Sequence, residues 1–349
     1  MINSALVMNN NGYDTYIILK GELMKKRIIT LVIILVTLLI IVGFSYLFKS
    51  KQSTNKITLA EVTHSVFYTP MYVAIEKGFF KDEGIEIELL LTPGADKVSA
   101  AVLAGDANIG FAGAESAMYI YNSDTEDYLQ MFSGLTKRDG QFIIGKDKHE
   151  FSWEELKGKE ILVGRSSGMP ALNFINALKK AGIKQEDVKL NTSVDFASLS
   201  GAFISGSGDY VNLFEPNATL MEKEGFGYVL ESVGKLSGEF PYTVFYAKKS
   251  YIDNNEELLK GFTKAISKGL KYVFDNDSTT IANTIKNQFT NTDLKDLAQM
   301  INRYKEADCW LKTPFITEKI YNNLHSFLEE NKLIKKTTPY NKLVRNLSN

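Results

Sequence analysis

Residues 57–91 read ITLAEVTHSVFYTPMYVAIEKGFFKDEGIEIELLL. Ile57–Val62 is rich in β-formers and predicts a strand. Pro70 suits the first turn of a helix running to Lys77, where its missing N–H costs nothing. Ile85–Leu91 alternates apolar and polar residues and predicts a second strand. The pattern continues with a helix over Asp96–Ala104, a strand over Asn108–Phe111 and a helix over Ala117–Tyr121. Such β-α-β-α-β alternation predicts a mainly parallel sheet with helices on both faces. Leu129–Leu135 and Phe142–Ile144 read as two more strands.

A second series follows. Strands are expected at Glu160–Val163, Val188–Leu190 and Asp209–Phe214, with helices at Pro170–Ala181 and Pro216–Lys223. Tyr242–Ala247 returns as a strand, and from Glu256 the chain reads as largely helical to about Asn331. The expected fold class is therefore α/β: two lobes, each with a mainly parallel sheet, and a C-terminal helical tail.

Composition narrows the function. With 40 Lys+Arg against 41 Asp+Glu in 349 residues, the net charge is −1, which argues against nucleic acid as a partner. The single cysteine, Cys309, rules out an intrachain disulfide, a cysteine metal cluster and an N-terminal lipidated cysteine.

The N-terminus carries a membrane signal. Ile28–Phe48 holds no charge, follows Lys25-Lys26-Arg27 and would be about 32 Å long as a helix, enough to cross a bilayer core. No Ala-x-Ala site follows, so an uncleaved transmembrane anchor within residues 24–52 is expected over a cleaved signal peptide. Residues 1–23 are polar and patternless, and Met24 sits well as an alternative start, so 1–23 reads as translated leader.

Ligands of open α/β sheets bind outside the carboxyl ends of the strands, which selects the loops to weigh. Ser65, Phe67 and Tyr68 follow the first strand and offer a hydroxyl and two rings. Gly94, Ala95 and Asp96 follow the second, where capping alone is an equal explanation. Gly113, Ala114 and Glu115 follow the third; their small size lets a ligand approach the backbone, and the helix dipole alone also favours the acid. In the second series Arg165-Ser166-Ser167-Gly168 precedes a helix and forms a polar cradle, without the spacing of a nucleotide loop. Glu215 ends a strand and is placed to accept from amine or ring N–H donors, or to cap the following helix. No HExxH, GxSxG or CxxC pattern occurs, and no nucleophile has a marked base. An enzyme is not expected, nor a cofactor or metal.

Val62-Thr63-His64-Ser65-Val66-Phe67-Tyr68-Thr69-Pro70-Met71, followed by Glu76-Lys77-Gly78-Phe79-Phe80-Lys81-Asp82-Glu83-Gly84-Ile85, resembles the opening of ABC-importer substrate-binding proteins. The branch is the nitrate/sulfonate/taurine and thiamine-pyrimidine one. Gly105-Asp106-Ala107-Asn108-Ile109-Gly110 and Leu156-Lys157-Gly158-Lys159 are similar to two further steps of that family, so the likeness covers about residues 57–340. It implies a bilobal type-2 periplasmic-binding fold, with lobe I from 53–138 plus 242–349 and lobe II from 139–241. The chain then crosses near 138–141 and 239–242, which places Arg138 and Tyr242 at the hinge. It also implies an extracytoplasmic monomer that closes on a small ligand and serves an ABC permease and its ATPase. Eukaryotic pyrimidine synthases of this fold use a lysine and a histidine; Ala112 and Ser116 stand at those places here, which argues against that chemistry. For the ligand, Tyr68, Phe67 and Glu215 favour a pyrimidine-like heteroaromatic. The alternatives are a sulfonate, taurine or nitrate on the Arg165-Ser166-Ser167 loop, or an anchored sensor without a transporter.

Overall fold

The structure is a computed structural model that describes residues 24–38, 55–166 and 168–347. Ser167 and the leader expected at 1–23 lie outside the described residues. Residues 24–38 form a helix of about 22 Å at 1.5 Å per residue. A bilayer core needs about 30 Å. The anchor expected at 28–48 is therefore described only in its first half, and no helix among the described residues is long and apolar enough to cross a membrane.

Ten strands build the rest: β1 (Asn55–Glu61), β2 (Ile85–Leu91), β3 (Ile109–Gly113), β4 (Leu129–Thr136), β5 (Phe142–Gly145), β6 (Glu160–Leu162), β7 (Lys189–Asn191), β8 (Tyr210–Leu213), β9 (Tyr228–Ser232) and β10 (Thr243–Lys248). They form two five-stranded sheets, β2-β1-β3-β10-β4 and β7-β6-β8-β5-β9. The first lobe is built on the first sheet, the second on the other.

The sheets are mixed but mainly parallel, as expected: in each, four strands run one way and a single strand runs against them. β1 pairs parallel with β2 and β3, whereas β10 runs antiparallel to β3 and β4. β6 pairs parallel with β7 and β8, whereas β5 runs antiparallel to β8 and β9. The cause is the crossing between sheets. β5 and β10 are the strands that follow the two crossings, so each enters its sheet from the cleft side, against its neighbours. β9 and the helix Leu199–Ile204 were not expected; β9 is half-buried along most of its length and carries no clean alternation.

Local chemistry explains the elements around the cleft. The Ser65 hydroxyl accepts from the Phe67 N–H at 3.2 Å and caps the turn Val66–Tyr68. The helix Thr69–Glu76 follows at once with Pro70 in its first turn. In the tail, Glu256–Asp275 buries Leu259, Phe262, Ile266, Leu270 and Val273 along one face. It packs on Thr69–Glu76 so closely that a Cβ at Gly269 would lie 2.2 Å from the Pro70 carbonyl oxygen. The helices Ser278–Ile285 and Leu294–Glu306 pack on each other, and the second rests on the Val66–Tyr68 turn. The tail thus belongs to the first lobe and reaches to its cleft.

Candidate functional site

Phe67 is the centre of the cleft. Its ring lies 5.6 Å from Tyr68, 5.3 Å from Phe214, 5.7 Å from Tyr242 and 5.2 Å from Tyr304. Phe214 follows β8 of the second lobe, so rings of both lobes meet here. Trp310 fixes the backbone below, its Nε1–H donating to the Phe67 carbonyl at 2.8 Å. A Cβ at Gly140 would sit 2.5 Å from the Phe67 ring, so the first crossing needs its glycine there. Phe67 and Tyr68 are buried, and Tyr68 meets Phe111 edge-on at 4.4 Å. Burial, with Glu61 and Glu115 nearby, pushes the Tyr68 hydroxyl well up, so it stays a neutral donor.

Glu115 opens the helix Glu115–Asn122 at the end of β3 and is 2 % exposed. Its carboxyl folds back over Gly113, where a Cβ would stand 2.0 Å from Oε2. The small residue therefore makes room for this acid as well as for a ligand. Burial pushes the Glu115 carboxyl up to about 8, against the pull of the N–H groups of Glu115, Met169 and Ser116. Met169 begins the helix Met169–Lys180 of the second lobe, so the acid lies where the N-termini of two helices, one from each lobe, converge. Oε2 has no hydrogen-bond partner among the described residues.

A second buried acid stands at the first crossing. Asp139 is fully buried, and its Oδ1 accepts from the Gln141 N–H at 2.6 Å. Burial holds its carboxyl well above the usual range, against the Gln141 N–H and the Tyr242 hydroxyl beside it. Tyr242 also lies in the fields of Tyr68 and Glu115, which joins the two acids and two phenols into one polar floor. With both acids neutral, this floor offers O–H donors and carbonyl-type acceptors; with an N–H-bearing solute present, either acid can ionise and accept.

The other candidates are placed differently. Glu215 is buried, and both carboxylate oxygens are taken: Oε1 accepts from Arg303 Nη1 at 2.9 Å and from the Thr219 hydroxyl at 3.0 Å, and Oε2 from the Thr219 N–H at 2.8 Å. Its first role is to cap Asn217–Lys223 and to pair with Arg303. The Ser65 hydroxyl donates to the Glu215 carbonyl at 2.7 Å. Arg138 turns to Glu239 at 3.1 Å and Asp308 at 3.6 Å. At the mouth, Arg165 pairs with Asp195 of its own lobe at 3.0 Å and with Asp96 of the other at 3.4 Å. Gly94 adopts φ +117° beside that pair, and a Cβ there would strike Asp96 Oδ1 at 2.7 Å. Ala95 and Asp96 open the helix Ala95–Ala104; Ala114 precedes Glu115 and is buried. Ser166 is exposed, and Gly168 precedes Met169–Lys180. His64 lies at the end of β1, its ring nitrogens 2.9 Å from Glu61 Oε1 and from the Gln288 carbonyl.

Sequence reasoning missed Asp139, Arg303 and Tyr304. Asp139 lies within the crossing expected near 138–141, where no strand-end rule points to it. Arg303 and Tyr304 sit mid-tail, where no strand-end rule points. Among the described residues, no group of three His, Cys, Asp or Glu side chains could hold a metal ion.

Comparison with known proteins fits this geometry. The NMT1/THI5-like family profile matches residues 66–279. YtlA of Bacillus subtilis (strain 168), whose provisional name is that of a binding protein with no ligand stated, is 39% identical over 298 residues, 85% of this chain and 89% of its own. The 4-amino-5-hydroxymethyl-2-methylpyrimidine phosphate synthase of Candida albicans (strain WO-1) is 25% identical over 239 residues, 64% of this chain and 68% of its own. Among solved structures, the alkanesulfonate-binding protein SsuA of Xanthomonas axonopodis pv. citri, bound to MOPS, superposes with a TM-score of 0.67 at 13% identity, over 83% of this chain and 98% of that one. The two crossed sheets are thus the periplasmic-binding-protein fold, and the chain belongs to the NMT1/THI5-like family.

Proposed function

We propose that this protein is an extracytoplasmic solute-binding component of an ABC importer, and that its solute is a small heteroaromatic carrying N–H donors. The transport role is supported by the bilobal fold and by the binding proteins that share it. The charge-free stretch 28–48 then serves export or tethering, as a protein working outside the membrane requires.

One observation carries the ligand class: the Glu115 carboxyl, buried between the lobes with Oε2 unpartnered, beside the phenols of Tyr68 and Tyr242. An unpartnered buried carboxyl favours a ligand whose N–H donors it can accept from, ionising as it does so, whereas a bare anion keeps the carboxyl neutral and finds no cation beside it. Glu115 takes the part first assigned to Glu215, whose oxygens are occupied by Arg303 and Thr219. The protein binds and releases without turnover. This reading is supported by the resemblance drawn from the sequence, in which Ala112 and Ser116 replace a lysine and a histidine of the synthases, and by Ala112 being wholly enclosed in β3.

The anion reading has its own support. Arg165 and Ser166 sit at the mouth, and the Xanthomonas neighbour is named as alkanesulfonate-binding. An anion would have to displace Asp96 and Asp195 from Arg165. A thermal-shift panel separates the two readings. It holds 4-amino-5-hydroxymethyl-2-methylpyrimidine, thiamine, riboflavin, taurine, alkanesulfonates and nitrate. A ligand at 100 times its Kd stabilises by about 2.7 kcal/mol. A shift with the aminopyrimidine supports the heteroaromatic reading; a shift with sulfonates alone moves the site to the Arg165 loop. Adjacent genes for a permease and an ATPase distinguish an importer from an anchored sensor.

A further inference from the structure

Glu215 is gripped from the opposite lobe at three separate points. Its N–H donates to the Tyr304 hydroxyl at 2.8 Å. Its carbonyl accepts from the Ser65 hydroxyl at 2.7 Å. Its carboxylate accepts from Arg303 Nη1 at 2.9 Å. Glu215 lies just after β8 of the second lobe, whereas Ser65 lies in the loop after β1 and Arg303 and Tyr304 lie on the tail helix packed on the first lobe. One residue thus presents its donor, its acceptor and its charge to the other lobe, and each finds a partner.

The grip extends along Asn217–Lys223. Arg303 Nη2 also pairs with Glu222, and Lys223 Nζ reaches Asp293 at 2.8 Å and Asp296 at 2.6 Å. Opposite charges of the two segments thus face each other from the buried end to the exposed one. None of these contacts uses an atom that a solute must supply, and none involves Glu115, Asp139 or Tyr242.

We propose that Glu215 is the closure latch of this protein, a clamp between the lobes made wholly of protein groups, which holds them together and sets the rate of solute release. The tail helix Leu294–Glu306 is then part of the closing machinery, with Arg303 and Tyr304 as its positioning residues. Buried polar groups need their partners, so opening the lobes is favourable only where water can replace all three bonds together. The latch is independent of ligand class and holds for a heteroaromatic or an anion alike.

The test is an interlobe distance in the full chain, held in detergent for its apolar N-terminal stretch, with no solute added. Spin labels at Lys97→Cys and Ser193→Cys, exposed positions of the first and second lobe at the mouth, report the separation; Cys309 is buried. The parent is expected to give one short distance. Tyr304→Phe and Arg303→Met should each add a longer component, raising the open-to-closed ratio roughly tenfold for each charged or buried bond lost. Arg303→Lys should restore part of the short distance, which a merely structural defect would not allow. Circular dichroism confirms that each variant is folded, and Tyr304→Phe, the milder change, keeps the test open if Arg303→Met is not. A parent already open, or variants with an unchanged distribution, would overturn the latch. Failure of the aminopyrimidine to bind would not touch it.

Discussion

The Tyr304 hydroxyl accepts the backbone N–H of Glu215 at 2.8 Å and so ties the tail helix of one lobe to a strand end of the other. Beside it, the Arg303–Glu215 pair is largely withdrawn from water, with the Glu215 side chain at 0% and Arg303 at 18% exposure. Burial pushes the Glu215 carboxyl up and Arg303 pulls it back down, so the acid depends on its cation.

Removing that cation alone should be costly. Arg303→Met leaves Glu215 buried without its counter-charge, and a loss of roughly 3–5 kcal/mol is expected. The double change Arg303→Met with Glu215→Leu should recover part of it. Urea unfolding of the single and double variants checks this; a double variant as unstable as the sum of the singles would refute the coupling.

Glu115 should make stability depend on pH. Its carboxyl titrates near 8 when folded against 4.5 as the ordinary value. A raised acid contributes its stability fully below the unfolded pKa and loses it as pH rises through the folded one. Stability should therefore fall between about pH 4.5 and 8, by at most about 4 kcal/mol. Glu115→Gln should flatten that slope and melt higher than the parent at pH 8. Melting curves from pH 4.5 to 8.5 decide it.

Gly113→Ala should act through Glu115. Its Cβ would fall 2.0 Å from Oε2 and expel the carboxyl, at roughly 1–3 kcal/mol. Gly113→Ala combined with Glu115→Ala should be more stable than Gly113→Ala alone, as measured by thermal melting. If it is not, the strain lies elsewhere.

Arg165→Ala tests the mouth. The pair with Asp96 is exposed, so folding stability should change by less than about 1 kcal/mol. Affinity for an aminopyrimidine should change less than threefold, roughly the effect of a rim charge. A collapse of taurine binding in the same variant would favour the anion reading.

The alternating elements were legible because β2 and the helix Ala95–Ala104 each carry a clean period, and the structure places them within a residue of the reading. The parallel direction of the other strands followed from the alternation, but the reversal of β5 and β10 was not legible, since it comes from crossings that no local pattern encodes. For the cleft, the strand-end rule found Tyr68, Glu115 and Glu215, yet could not rank the two glutamates. That ranking rests on Arg303, 88 residues away in sequence and visible only when the tail folds back. Asp139 shows the same gap: its burial comes from packing at the crossing, not from its neighbours in sequence.

The most direct test of the account is titration calorimetry of the full chain with 4-amino-5-hydroxymethyl-2-methylpyrimidine and with taurine, in the parent and in Glu115→Ala. Saturable binding of the aminopyrimidine to the parent is expected, weakened at least tenfold in Glu115→Ala, about the loss of one hydrogen bond to the carboxylate formed on binding, with no binding of taurine. Taurine binding to the parent, or aminopyrimidine binding indifferent to Glu115, would contradict it.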